Sequence, residues 1–326
     1  MLHLRVIAPS ELTGDVTGLA ERTAACVNLT VFPGAARSPV GDLVQFDVAR
    51  EAANEVLDGL RELGIPESGS IAVEQIDVSI SECARQAEEA APGYEDDAVV
   101  WDELDARTAE DARLSWAFLA FLTLATQLAG IGALLDQPVL IVGAMVLGPE
   151  FGAVAAICFG IMRGKPKRIA VAARTLAIGF AVAIAVTLVC AGVSRALGWI
   201  RPSMLDHSSL ITFIISPDKW SFIVAVLAGI AGILSITAGK SSALIGVFIS
   251  VTTVPAAGNI GVAIALGRFD EVGSSALQLG VNLGGMLLAG LTTLGLQRLL
   301  WKRYGMRVPT RPRGGRPGRL GRTPYP

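Results

Sequence analysis

The chain has 326 residues, 52% of them hydrophobic, and a mean hydropathy of +0.55, which is too apolar for a wholly soluble fold. Its formal charge of −2 conceals a division, since residues 1–113 hold 23 acids against 8 bases whereas 114–326 hold 6 against 19. Two histidines, and four cysteines (Cys26, Cys83, Cys158, Cys190) with no Cys-x-x-Cys spacing, argue against a histidine-based metal site, a His-dependent triad and a disulfide framework.

In chain order, "MLHLRVIAPS" has no basic stretch leading into a long apolar core, so no cleaved signal peptide is predicted. Residues 2–8 alternate as a strand, and 10–24 place Leu12, Val16, Leu19 and Thr23 at helical spacing. Two strand-like runs follow at 26–33 and 41–48, joined by a Gly/Pro-containing loop. Residues 50–64 set Val56, Leu57, Leu60 and Leu63 on one helical side, ended by Gly64 and Pro66, and 70–80 form a last strand. There Ile71 and Val73 share one parity while Ile76, Val78 and Ile80 share the other, which predicts a bulge near Glu74 and Gln75. The pattern βαββαβ is a ferredoxin-like unit over 1–80. Such a unit serves as a ligand-sensing or dimerising module or as an assembly domain, and fold alone does not choose.

Residues 81–113 read as an acidic helical linker. Its clusters, Glu95, Asp96, Asp97 and Asp102, Glu103, Asp105, are expected to be solvated, because no glycine-punctuated calcium loop is present. Apolar runs then recur at about 114–135, 138–162, 169–197, 220–239, 241–267 and 273–300, each near the roughly 20 residues a bilayer demands. Six transmembrane helices over 114–300 are predicted. The loop with Arg163, Lys165, Lys167 and Arg168 is basic, as is the tail over 301–326, with eight bases and no acid. Positive residues mark the cytoplasmic side, so both termini are placed in the cytoplasm of a cell whose plasma membrane the chain crosses. The Pro/Gly-rich tail is expected to be disordered and to meet the lipid surface rather than nucleic acid.

Two spans are interrupted. The second holds "GPEFGAVAAICFG" and the fifth "TVPAAGNIGVAIALG"; setting Pro149 on Pro255 brings Gly152 onto Gly258. Each break sits in the middle helix of a triplet, and at about 1.5 Å per residue Glu150 is about 18 Å and Pro255 about 21 Å into its span. Matching Pro/Gly breaks in two oppositely inserted halves, an inverted 3+3 repeat, point to a transport site. A proline frees a backbone carbonyl and a carboxylate at this depth is costly in lipid, so Glu150 is expected to face the bundle interior, protonated or paired, with Arg174 a candidate partner. Thr252, Thr253, Asn259, Gln278 and Asn282 are candidates to complete a lining or to act as interhelical glue. The Gly-rich spans favour close packing and a homo-oligomer. "TAGKSS" at 237–242 lacks the glycine of a phosphate loop, since Leu234 stands there.

The stretches "VGAMVLGPEFGAV" and "VAVLAGIAGILSITAGKSSALIGVFISVTTVP", with the βαββαβ leader, resemble the prokaryotic membrane proteins grouped as domain of unknown function 389 (DUF389) over roughly 110–300. The resemblance rests on Ala144-Met145, Pro149, the small-residue segment around 228–232, Ser241 to Gly246, and Val254-Pro255. Relatives have a Ser/Ala-Pro-Leu-Met-Gly-Pro-like second break and Val-Pro-Pro at the fifth. Here Gly148-Pro149-Glu150-Phe151-Gly152-Ala153 and Val254-Pro255-Ala256 mark an acidic variant. The resemblance implies architecture and supplies no substrate. The reading is a transporter or channel for a small solute or ion whose pathway is lined by Pro149, Glu150, Gly152, Thr252, Thr253, Pro255, Gly258, Asn259 and Asn282. A membrane-anchored ligand sensor or oligomeric scaffold is the other reading. No cofactor, metal or enzymatic motif is expected.

Overall fold

The computed structural model describes residues 1–76, 78–91, 99–205, 218–238 and 252–303. The acidic cluster at 95–97, the segment 241–246 and the basic tail from 304 on lie outside the described residues, while 301–303, expected to belong to the disordered tail, end the last helix. Two compact units divide the described chain, one ending at Glu103 and one covering Leu104–Arg303.

In the first unit, strands β1 (Leu2–Ala8), β2 (Cys26–Arg37), β3 (Val40–Val48) and β4 (Ser70–Gln75) alternate with helices α1 (Thr13–Arg22), α2 (Ala53–Glu62) and the short α3 (Ile65–Ser68), and α4 (Glu82–Ala90) follows β4. The sheet order is β2-β3-β1-β4 with every pair antiparallel, the arrangement of a ferredoxin-like unit. Leu2, Leu4 and Val6 from β1 and Val44, Phe46 and Val48 from β3 meet Val16, Val56, Leu57 and Leu60 in a closed core. Period-two side chains on the sheet meet period-3.6 side chains on the helices, which is why the register is fixed.

Three local expectations change. β4 stops at Gln75, and Val78 and Ile80 are exposed, so the parity change marks the strand's end rather than a bulge. The register shifts fall instead in β2, between Val27 and Thr30 and between Phe32 and Ala36; β2 also runs on to Arg37 through the Gly/Pro stretch. In the acidic linker, Glu82, Glu88 and Glu89 are exposed as expected, but the cluster Asp102, Glu103 and Asp105 is engaged by bases rather than left to solvent. Arg61 binds Asp102 at 2.6 Å and Arg50 binds Glu103 at 3.1 Å. Asp105, within the second unit, is buried beneath Lys165 and Arg168.

Asp42 ties the β2–β3 hairpin to α1, accepting the Gly34 amide at 2.8 Å, the Thr13 hydroxyl at 2.7 Å and the Ser10 hydroxyl at 3.1 Å. Those donors, the Gly34 amide foremost, favour the carboxylate and hold Asp42 below its ordinary carboxyl value. A depressed folded value stabilises the fold above the unfolded value, and this is lost as pH falls through the folded one. Asp42→Asn is therefore expected to weaken hydrogen-exchange protection of the hairpin in the full chain at neutral pH. In strong acid, where wild type has lost the same contribution, the two should converge.

The second unit begins within α5 (Trp101–Asp111), at Leu104, and continues with α6 (Trp116–Leu134), α7 (Pro138–Leu147), α8 (Glu150–Met162), α9 (Pro166–Ala196), α10 (Lys219–Thr237), α11 (Thr253–Leu266) and α12 (Phe269–Arg303). Four of these are long and apolar enough to cross a membrane, and α7 with α8 makes a fifth candidate, bent by 47°. Of the fifth span expected at 241–267, the described part is α11, an apolar helix of 14 residues. Val171, Val189, Leu227, Leu277 and Leu296 stand exposed, and Trp116, Trp199 and Trp220 are exposed near helix ends, as in a membrane protein with interfacial aromatic anchors. By contrast, ten of the thirteen residues of α8 and twelve of the fourteen of α11 are buried, so the two helices form the interior of the bundle.

Candidate functional site at the paired helix starts

The second span breaks where the sequence places it. α7 ends at Leu147, Gly148 turns the chain with an extended ψ of 121°, Pro149 occupies the N-cap, and α8 begins at Glu150. Pro149 contributes no amide at a helix start, where amides lack intrahelical partners, so the break leaves fewer orphan donors than an internal proline would. Glu150 is buried, with 6% exposure. Its Oε1 accepts the hydroxyl of Thr253, the first residue of α11, at 2.5 Å. Its Oε2 has no hydrogen-bond partner among the described residues. The carboxyl thus bridges the first residues of two interior helices, whose N-terminal ends carry partial positive charge.

A second cluster adjoins it. Thr252, the N-cap of α11, accepts Gln278 Nε2 at 2.7 Å and Asn282 Nδ2 at 2.8 Å, both from α12. Gln278 is fully buried and its Oε1 has no partner among the described residues. Farther along α11, Asn259 donates to Ser275 at 3.0 Å and to Glu271 at 3.2 Å, and its Oδ1 has no partner among the described residues. Glu271 is also bound by Arg268 at 3.0 Å. Glu271, Ser275, Gln278 and Asn282 follow one another at intervals of four, three and four, so they form one stripe along α12.

Of the expected lining, Thr253 meets Glu150 directly, while Thr252 and Asn282 join the adjoining cluster and Asn259 a third. Pro255 is the third residue of α11 rather than its N-cap, so setting Pro149 on Pro255 does not superpose the two helix starts. Proline is tolerated at either place because neither needs its amide. Gly152 and Gly258 are packing contacts. A Cβ on Gly152 would lie 2.6 Å from the Asp111 Cβ, and one on Gly258 2.7 Å from the Thr126 carbonyl oxygen. Arg174 is exposed on α9, and the hydrogen bond of Glu150 goes to a hydroxyl instead. A membrane-edge arginine has headgroups and water available, which removes the drive to reach an interior acid. Glu271 and Ser275 escaped the sequence reading although the spacing that links them to Gln278 was visible. Gly148 also escaped it; a Cβ there would stand 2.3 Å from Glu150 Oε2.

Residues 145–288 match the family model described as "Domain of unknown function (DUF389)". An uncharacterized protein of Methanocaldococcus jannaschii is 28% identical over 196 residues, covering 60% of this chain and 59% of that one. The chain thus spans about three-fifths of the length of that curated relative. No solved structure matches. The matched stretch runs from the last three residues of α7 into α12 and so contains Glu150, Thr253, Gln278 and Asn282.

Proposed function

We propose that this protein, whose residues 145–288 fit the DUF389 family, is a transporter or channel for a small solute or ion with its pathway at the Glu150–Thr253 contact. The observation that carries the reading is a buried carboxyl bonded across two interior helix starts through one oxygen, with the other oxygen unmatched. Buried acids in membrane helices face interiors or pathways because lipid offers them no partner, and irregular backbone at depth is tolerated only against protein or water.

An inverted 3+3 repeat of six spans fits the helix lengths. α6 and α10 are both 19 residues; α9 and α12, at 31 and 35, are the two longest; between each pair lies an interior helix that starts at this contact. Arg163, Lys165, Lys167 and Arg168 between α8 and α9, with the basic tail, support cytoplasmic termini in a prokaryotic plasma membrane. The ferredoxin-like unit then regulates or assembles the membrane part, and the glycine-rich spans suit a homo-oligomer.

The test is flux through vesicles containing the full chain, probed with alkali cations, halides, and neutral and charged amino acids. Glu150→Gln keeps the side chain's shape and removes its charge. It should cut flux by about tenfold or more, the effect of losing one buried charge-assisted contact, with unchanged elution from a sizing column. Wild-type flux in the variant, or no flux of any probe in the wild type, would overturn the transport reading and leave the membrane-anchored sensor or scaffold.

A further inference from the structure

Every buried side-chain nitrogen or oxygen recorded without a partner among the described residues of 104–303 is an oxygen: Glu150 Oε2, Asn259 Oδ1, Gln278 Oε1 and Gln297 Oε1. Two of them are joined through neighbouring residues of α11. Thr253 binds Glu150, and Thr252, next in the chain, takes the amide nitrogen of Gln278, so the Glu150 and Gln278 side chains are held by consecutive residues at one helix start. Both side chains are more than nine-tenths buried. A buried acceptor left unmatched has given up its hydration without replacing it, which favours any donor or cation that fits.

We infer that the Glu150–Thr253–Thr252–Gln278 constellation is a site for a monovalent cation, a proton or an alkali ion, which the pathway binds and passes. The inference rests on the transport reading and names its substrate class. The unmatched groups accept and do not donate, so a cation or a proton satisfies them while an anion would add further acceptors. The charge count selects valence. Glu150 is the single acid in this constellation, and Glu271, along α12, already faces Arg268. One positive charge brings the site to neutrality; a divalent ion would leave an uncompensated charge in the interior. Among the described residues no three His, Cys, Asp or Glu side chains gather as a multivalent metal prefers. Asn259 Oδ1, farther along α11, supplies the next acceptor on the face that α11 turns to α12.

The experiment uses the full chain, with radioactive sodium and rubidium for equilibrium binding in detergent and for uptake into vesicles, and an internal pH dye for proton entry. At least one of the three ions should bind or move. Glu150→Gln should reduce that signal by about tenfold or more, and Gln278→Leu, which removes the amide with its unmatched oxygen and its bond to Thr252 at similar volume, by about three- to tenfold. Sodium and rubidium arms separate an alkali site from a proton site. If both folded variants retain wild-type signals for every ion, the inference falls. If the vesicles carry an anion or a neutral solute while sodium, rubidium and protons neither bind nor move, the inference falls and the transport reading stands. Cation binding that is lost in Glu150→Gln without flux of any probe would uphold the site and sink transport.

Discussion

Gly258→Ala should destabilise the membrane unit by about 3 kcal/mol, at the upper end of the usual cost of overpacking. The added methyl would lie 2.7 Å from the carbonyl oxygen of Thr126, 2.8 Å from the amide nitrogen of Gly130 and 3.1 Å from the Ala129 Cβ. The first two are backbone atoms of α6 and have no rotamer by which to retreat, so the helix itself must shift. The contact is reciprocal, because a Cβ on Gly130 would meet Val262 of α11 at 3.0 Å. Small residues on both helices permit this approach, and dispersion over the crossing holds it where water exclusion contributes nothing between helices. A lowered melting temperature in detergent is the measurement. Gly143→Ala, where nothing lies within 4 Å of the added carbon, is the control and should melt as wild type does. Equal melting of the two variants would show that α6 and α11 are not in contact as described. Gly258 thus belongs to the scaffold, and flux in Gly258→Ala should fall only in proportion to the loss of folded protein.

How far the sequence discloses such roles depends on the range of the interaction. The sheet-bearing unit was legible because its signals are local: period-two runs gave β1 and β3, and Val56, Leu57 and Leu60 gave the face of α2. Even there, a change of parity after Gln75 has two physical causes, a bulge or the end of pairing, and only the neighbouring strand decides. The break at Pro149 was legible for the same local reason. Its partner was not, because Thr253 is 103 residues away and charge alone favoured Arg174. A buried acid is also served by a hydroxyl, which costs less to bring indoors than a guanidinium does. The α12 stripe was half seen. Gln278 and Asn282 stood out as polar residues in an apolar run, while Ser275 and Glu271 complete the same helical face only when the 4-3-4 spacing is applied to polar side chains. Asp105 looked solvated within an acidic cluster, and only the fold brings Lys165 and Arg168 to it.

Gly148→Ala should abolish most of the flux although it retains the Glu150 carboxyl. The backbone at Gly148, with φ −66° and ψ 121°, suits any residue, so glycine is demanded by room alone. Its Cβ would come within 2.3 Å of Glu150 Oε2, 3.1 Å of the carboxyl carbon and 2.8 Å of Val254 Cγ2. Val254 is fully buried at the start of α11, so the methyl must push either α11 or the carboxyl. The carboxyl is the softer of the two, being the end of a rotatable side chain held by one hydroxyl. It should swing off Thr253, costing about 1–3 kcal/mol of stability. A displacement of about 1 Å at a functional centre is enough for roughly a hundredfold loss where geometry governs the step. Glu150→Gln, Gly148→Ala and Gly258→Ala then separate three quantities. The first removes charge at constant shape, the second moves the charge, and the third loosens the frame. Flux should collapse in the first two at modest cost in melting temperature, whereas the third should lose melting temperature first. A Gly148→Ala protein with full flux and an unshifted melting temperature would mean that the Glu150 carboxyl does not occupy the space beside Gly148.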